Sequence, residues 1–183
     1  MAQTPPSPTA LRVAELSQSG TTTFALRPDA QALETLARTL DLQALRKLSF
    51  EGTLAPEGDS DWILRARLGA TVVQPCIVTL EPVTTRIDTD VVRRFQRDYA
   101  LPEEAEVEMP EDDTTEPLGA WIDPAAVMEE ALALNVPEYP RKDEASLGQM
   151  VYTKPGEAPM TDEDARPFAG LEALRNKLEK DDG

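Results

Sequence analysis

The chain has 183 residues, of which 40% are hydrophobic, 5% are aromatic and 16 are prolines, so we expect one ordinary domain with extended polar arms. It contains no histidine and a single cysteine, which excludes an internal disulfide and removes the commonest general base and metal ligand. The formal net charge of −16 is uneven, with −1 in residues 1–101 and −15 in residues 102–183.

The N-terminal sequence MAQTPPSPTALRV has neither the basic start nor the apolar core of a signal peptide. No stretch approaches the ~18 consecutive apolar residues of a membrane span. A single cysteine also suits a reducing compartment. The sequence therefore predicts a soluble cytoplasmic protein.

Residues 1–10 are rich in proline, serine and threonine and are predicted to be flexible. Residues 11–101 are predicted to form an α+β core domain with an antiparallel β-sheet and one or two packed helices. Its first strand contains Phe24 and Leu26. A helix is expected to start at Pro28 and Asp29, because an apolar stripe follows at helical spacing, namely Leu33, Leu36, Ala37 and Leu40.

Alternating apolar residues predict the next strands. One strand carries Leu48, Phe50, Gly52 and Leu54, and the stretch APEGDSD is expected to form the following turn. In the next strand Trp62, Leu64, Ala66 and Leu68 share one face, while Arg65 and Arg67 occupy the other. Residues 84–99 fit both a period of 2 and a period of 3.6, and their β-branched content favours a strand.

After Leu101 the composition changes. Residues 102–117 contain eight acidic residues and three prolines, which predicts a solvated linker. Residues 118–137 are expected to contain a helix that packs on the core, with Asp123 as its N-cap and Pro124 at its first position.

Residues 138–165 form a second predicted linker, which is polar. Residues 166–180, RPFAGLEALRNKLEK, are predicted to form a short amphipathic helix. A helix of this kind either docks on its own core or enters the groove of a partner, and the sequence leaves both interpretations open. The acidic extension with short helices completes the predicted architecture.

Cys76, in TVVQPCIVTLEP, is interpreted as a structural thiol in a strand, because no histidine is present to activate it and apolar surroundings raise the pKa of a thiol. No phosphate-cradling glycine motif occurs. The carboxylates of residues 103–116 lack the spacing and glycine of a calcium loop. We therefore predict no catalytic residue, no metal site and no cofactor.

The central strands hold the main concentration of basic residues. If these strands are neighbours, their side chains could contact RNA or an acidic partner, although few aromatic residues stand nearby to stack on bases. Pairing with the nearby carboxylates Glu81, Asp88, Asp90 and Asp98 is the alternative. The basic residues are Arg65, Arg67, Arg86, Arg93, Arg94 and Arg97.

Taken in order, three segments resemble the YceD family, whose members are called large ribosomal RNA subunit accumulation proteins. The segments are LRARLGATVVQPCIVTLEPV, EPLGAWIDPAAVMEEALALNVPEYPR and RPFAGLEALRNK. Family members often carry a Cys-x-x-Cys pair in the central strand, whereas here Thr79 stands three residues after Cys76. The resemblance implies a role in accumulation of 23S ribosomal RNA without catalytic activity, and the missing cysteine puts any zinc or redox role in doubt.

Charge and resemblance together suggest that the acidic half binds a basic ribosomal protein or assembly factor, because a polyanion attracts basic proteins and repels phosphate backbones. The predicted partner-binding residues are Asp112 and Asp113 in the first linker and Phe168, Leu171 and Leu174 in the last helix. Ribosomal RNA would then be affected indirectly or bound weakly. The first alternative is direct RNA contact through Arg65, Arg67, Arg93 and Arg94, and the second alternative is a hydrolase that recruits a metal to carboxylates.

Overall fold

A computed structural model describes residues 4–99 and 114–143. The strands are β1 Leu11–Arg12, β2 Thr22–Leu26, β3 Ala44–Glu57, β4 Asp61–Pro75, β5 Pro82–Gln96, β6 Thr115–Pro117 and β7 Trp121–Ile122; the helices are α1 Ala30–Thr39, α2 Pro124–Asn135 and a 3₁₀ turn at Val13–Glu15. Five of these strands form one sheet in the order β2-β3-β4-β5-β6, and β1 pairs with β7 in a separate two-stranded sheet.

The long strands β3, β4 and β5 form an antiparallel meander that dominates the sheet. Residues 84–96 lie in β5, so the prediction of a strand in this region is confirmed over most of its length. Ile87, Val91 and Phe95 alternate with more exposed neighbours and are buried. Their period of 2 matches the pleat of a strand whose one face is covered.

Two local features of β3 differ from the predicted pattern. The strand continues to Glu57, so the turn expected at residues 55–61 is confined to residues 58–60, where Gly58 adopts a φ of 67°. Near its start the pairing with β4 shifts between Arg46 and Ser49. Lys47 lies in this β-bulge with a φ of 52°, and the extra residue allows Leu45 and Leu48 to be buried on the same side.

Both helices begin where the sequence predicts. The Asp29 carboxylate caps α1 by accepting a hydrogen bond of 2.8 Å from the Ala32 amide. The Asp123 carboxylate accepts one of 3.0 Å from the Ala125 amide, and Pro124 occupies the first turn of α2. These caps satisfy amides that have no partner inside the helix.

One face of the sheet, the covered face, packs against both helices. Helix α1 contacts β3, and α2 contacts β4 and β5. The covered face and the two helices share one hydrophobic core, whose largest fully buried members include Phe50, Leu54, Trp62, Leu64, Leu68 and Leu132. The predicted α+β fold is therefore confirmed.

Strand β6 makes the sheet mixed, because it pairs with β5 in parallel through Arg94 and Thr115. The sequence places Thr115–Pro117 at the end of the acidic linker 102–117, and the structure instead adds these residues to the sheet. In the N-terminal segment, the Ser7 and Thr9 hydroxyls donate to the Asp123 carboxylate at 2.9 and 3.1 Å, and the flexibility of residues 1–10 stays a prediction. Neither described helix combines the length and apolarity that crossing a membrane requires.

Candidate functional site

Cys76 lies in a reverse turn directly after β4, not inside a strand as predicted. Its carbonyl accepts a hydrogen bond from the Leu80 amide at 2.9 Å, and its own amide donates to the Glu81 carbonyl at 2.8 Å. Leu80 adopts a φ of 60°, which lets the chain reverse and enter β5. Pro75 ends the strand and supports this reversal, because proline has no amide hydrogen to donate to a further ladder bond.

The sulfur of Cys76 is completely buried, yet it is surrounded by hydrogen-bond donors. The Thr79 hydroxyl and the backbone amides of Lys142, Thr79 and Val78 lower the pKa of the Cys76 thiol from 9.0 to about 6, and burial opposes them with a smaller effect. The Lys142 amide stands 3.5 Å from the sulfur. The prediction that the surroundings raise this pKa is therefore wrong, because the donors favour the thiolate more strongly than burial disfavours it.

The segment after α2 closes over the Cys76 turn. The Ile77 amide donates to the Pro140 carbonyl at 3.0 Å, and the Lys142 ammonium forms an ion pair of 2.6 Å with the Glu81 carboxylate. This pairing raises the pKa of Lys142. The thiol thus joins two chain segments that are 66 residues apart, and its burial restricts access by reagents. The sequence prediction of a structural thiol stays a prediction.

The surface of the sheet opposite the helices is called the open face. It consists of alternate residues of the central strands, in which arginines are interleaved with carboxylates. Its polar members include Ser49, Glu51, Arg65, Arg67, Thr71, Arg86, Asp88, Asp90 and Arg94. The interleaving means that this face carries both signs of charge.

Arg65 and Arg67 are exposed on the open face, as the alternation predicts. Arg67 lies in register between Glu51 on β3 and Asp90 on β5, while Arg65 lies between Thr53 and Val92. Neither arginine forms an ion pair within 4 Å among residues 4–99 and 114–143. Their guanidinium groups are therefore accessible to an anionic ligand.

Arg86 and Arg94 also lie on the open face, and both have carboxylate partners. The Arg86 guanidinium contacts both oxygens of Asp88, at 2.8 and 2.6 Å. This contact lowers the pKa of Asp88 and raises that of Arg86. Arg94 lies 3.4 Å from the Glu57 carboxylate. The alternative of local pairing, as read from the sequence, thus holds for Arg86 with Asp88.

Arg93 departs from the predicted arginine group, because it belongs to the covered face. Its side chain is only 9% exposed, and its nitrogens lie 3.1 Å from Glu116 on β6 and 3.0 Å from Glu130 on α2. Burial raises the pKa of Glu116 in spite of the nearby Arg93 charge. Arg93 therefore links β5 to the segment after the acidic stretch, and the prediction of RNA contact is retained only for Arg65, Arg67 and Arg94.

A family model described as "Large ribosomal RNA subunit accumulation protein YceD" matches residues 64–175, more than half of the chain. The chain belongs to the YceD family. The matched range contains the Cys76 turn, strands β5 and β6, helix α2 and most of β4. No curated protein and no solved structure matches the chain. The family description implies a role in accumulation of large-subunit ribosomal RNA and names no catalytic activity.

The YceD-family chain also has predicted site residues outside the described ranges. These are the proposed partner-binding residues Asp112, Asp113, Phe168, Leu171 and Leu174, for which the partner-binding role stays a prediction. Within residues 4–99 and 114–143, no group of three or more His, Cys, Asp or Glu side chains is arranged to hold a metal ion.

Sequence reasoning missed two cations that the fold brings beside Arg86. Arg27 follows β2 and Lys47 lies in the β3 bulge, and both line a hollow that Arg86 also lines. They are 20 residues apart in sequence. No motif or spacing signals their proximity, since it depends on the β2–β3 register and on the bulge.

Proposed function

We propose that this YceD-family chain is a non-enzymatic factor that supports 23S ribosomal RNA accumulation, and hence large-subunit biogenesis, by binding a basic ribosomal protein or assembly factor. The single observation that carries the proposal is the charge asymmetry of −1 against −15 between the two halves of the chain. An acidic surface accelerates encounter with basic proteins, and the acceleration falls as salt increases. RNA that fails to assemble is degraded, so its level would depend on this binding indirectly.

The described ends of the first acidic stretch support this proposal. Residues 100–113 include seven carboxylates, and they connect the end of β5 to Thr114, whose carbonyl accepts a 2.8 Å hydrogen bond from the Arg94 amide. The stretch thus leaves and rejoins the protein at the same edge of the sheet. The ion pairs of Arg93 with Glu116 and Glu130 anchor the returning chain. Charge attached at both ends loses less freedom on binding than charge on a free tail.

The exposed guanidinium groups of Arg65 and Arg67 favour a second candidate, direct contact with ribosomal RNA. They lie two residues apart on one face of β4, about 7 Å apart along the strand axis. Carboxylates flank Arg67 on both neighbouring strands, and the total charge of −16 opposes a polyanion. Protein binding is therefore the better supported of the two candidates.

Capture from lysate with and without ribonuclease separates the two candidates. Protein binding predicts that basic large-subunit proteins or assembly factors remain attached after RNA digestion and are released by salt. It also predicts that the Asp112→Asn/Asp113→Asn variant captures less. The control variant Glu34→Gln/Asp41→Asn also removes two negative charges, but from residues 1–101, whose net charge is only −1. It should capture as much basic protein as the unmodified chain does.

Loss of all captured proteins on RNA digestion would instead favour the arginine-bearing face. In that case Arg65→Gln/Arg67→Gln should abolish the capture of RNA, and the Asp112→Asn/Asp113→Asn variant should have no effect on it. The apolar side chains among the proposed partner-binding residues are tested in the same assay by Phe168→Ala/Leu171→Ala. This variant should reduce capture at high salt more than at low salt, because apolar contacts resist screening.

A further inference from the structure

We propose that a hollow at the end of the open face nearest the β3 bulge is a binding site for a phosphate group. The hollow has a volume of about 500 Å³ and is lined by Arg27, Lys47, Leu48, Ser49, Thr71 and Arg86. Three of these residues are cations, two are hydroxyl donors, and none is a carboxylate. This site is separate from the acidic partner-binding segments proposed above, and its test does not depend on them.

Neighbouring side chains position the Arg86 guanidinium through hydrogen bonds. Asp88 holds it through two contacts of 2.8 and 2.6 Å, and the Thr71 hydroxyl lies 3.5 Å from it. Gly69 beneath it makes this position available, since a Cβ there would lie 2.6 Å from the Arg86 Nη2 atom. A guanidinium held in this way binds an oxyanion with little further loss of side-chain freedom.

Lys47 supplies the positive charge that remains uncompensated at the hollow. It forms no ion pair with any residue in the described ranges. Its φ of 52° places a non-glycine residue in the left-handed region, which is unfavourable for a side chain with a Cβ. The bulge redirects the chain at this position, and the lysine at this strained position contributes to the lining of the hollow.

The other two cations are paired with carboxylates that are not among the residues lining the hollow. Glu51 contacts Arg27 at 2.6 Å, and Asp88 contacts Arg86. The hollow therefore faces a ligand with guanidinium, ammonium and hydroxyl donors. The Nε and Nη2 atoms of both arginines already donate to these carboxylates. A phosphate group, with several acceptor oxygens and at least one negative charge, would accept from their remaining N–H groups and from the Lys47 ammonium.

The phosphate group could come from RNA or from a small phosphate compound. A neighbouring hollow shares Ser49 and Arg86 with the first and adds Arg67. A chain of phosphodiesters could therefore continue along the open face from Lys47 towards Arg67. Glu51 and Asp88 also line this second hollow, which makes it less favourable for an anion than the first.

Nitrogen-15 NMR of the full chain tests the site with two probes, inorganic phosphate and a short oligouridylate. We expect both to shift the amides of Ser49 and Thr71 and the Nε signal of Arg86. Tighter binding of the oligouridylate than of phosphate would assign the ligand to RNA. Equal binding would assign it to small phosphates.

Lys47→Gly is the decisive variant, because it removes the cation and also relieves the unfavourable φ. We expect it to weaken binding of either probe by about tenfold, the loss expected for one charge-assisted hydrogen bond. Its melting temperature should be equal or higher, since glycine favours a positive φ. Arg38→Gln, which removes an equal charge from the exposed face of α1, should leave binding unchanged. Absence of shifts at Ser49 and Arg86, or equal binding by Lys47→Gly, would overturn the proposal.

Discussion

The two faces of the sheet are formed mainly by the same three strands, β3, β4 and β5. The covered face is mainly apolar and buried, whereas the open face carries exposed charged side chains. Arg93 and Arg94 are neighbours in sequence, yet Arg93 is buried on the covered face between Glu116 and Glu130, and Arg94 lies on the open face beside Glu57. In a strand, consecutive side chains point to opposite faces. Neighbouring arginines in a strand therefore lie on opposite faces, so that one is buried in a structural role and the next is accessible. Composition alone does not distinguish the two.

The largest difference between the faces should appear in stability. Leu64 is completely buried on the covered face, and its neighbour Arg65 is exposed on the open face. Leu64→Ala should lower the free energy of unfolding by about 2–5 kcal/mol through lost burial and a residual cavity. Arg65→Ala should change it by less than about 0.5 kcal/mol. Urea denaturation measures both, and similar losses for the two variants would contradict the assignment of faces.

The adjacent arginines provide a second, smaller contrast. Arg93→Met should cost about 1–3 kcal/mol, because it leaves Glu116 and Glu130 without their cation in a partly buried setting. Arg94→Met should cost about 0.5 kcal/mol or less, as expected for a pair near the surface. Equal effects in urea denaturation would show that Arg93 does not anchor β6 and α2.

The Cys76 turn differs from the covered face in what it buries. The turn buries a thiol among hydrogen-bond donors, whereas the covered face buries mainly apolar side chains. Absorbance of the thiolate at 240 nm should titrate with a midpoint near pH 6. Thr79→Val should raise this pKa, because the hydroxyl of Thr79 is the main cause of the lowering. Thr84→Val, an exposed threonine in β5, serves as the control. A midpoint near pH 9 in the unmodified chain would contradict the donor geometry.

The same pKa shift predicts how stability depends on pH. The pKa of Cys76 is lower in the folded chain than in the unfolded chain, so thiolate formation adds stability that is fully present above about pH 9. This contribution decreases as the pH falls and is lost below about pH 6. The difference in melting temperature between the unmodified chain and Cys76→Ala should therefore grow between pH 6 and pH 9. A constant difference over that range would count against a buried thiolate.

Alternation of residue types was sufficient to predict much of the fold. Trp62, Leu64 and Leu68 mark the covered face, and Asp29 and Asp123 mark the helix starts. These features depend on residues that are close in sequence, so they can be predicted from the sequence alone.

The features that sequence reasoning missed depend on distant contacts. Thr115 joins the sheet through pairing with Arg94, and the Lys142 amide reaches Cys76 from 66 residues away. The Lys47 bulge arises from the register of two strands. Such contacts are set by tertiary packing, which outweighs local preference.

The same limit applies to the candidate sites. Exposure of Arg65 and Arg67 follows from the period of 2, whereas the buried position of Arg93 requires Glu116 and Glu130 to approach from β6 and α2. The hollow at Lys47 requires Arg27, Arg86 and the bulge to meet. The sequence alone therefore identifies the candidate arginines, but it does not show that Arg93 is buried in a structural role while Arg65 and Arg67 are exposed.

Site-specific photo-crosslinking in lysate tests the central claim, that the acidic half binds a basic protein, most directly. A crosslinker is placed at Leu171 in one variant and at Arg65 in another, and the products are identified with and without ribonuclease. We expect the crosslinker at position 171 to attach to a basic large-subunit protein or assembly factor whether or not RNA is digested. Crosslinks to RNA from position 65, with no protein product from position 171, would contradict it.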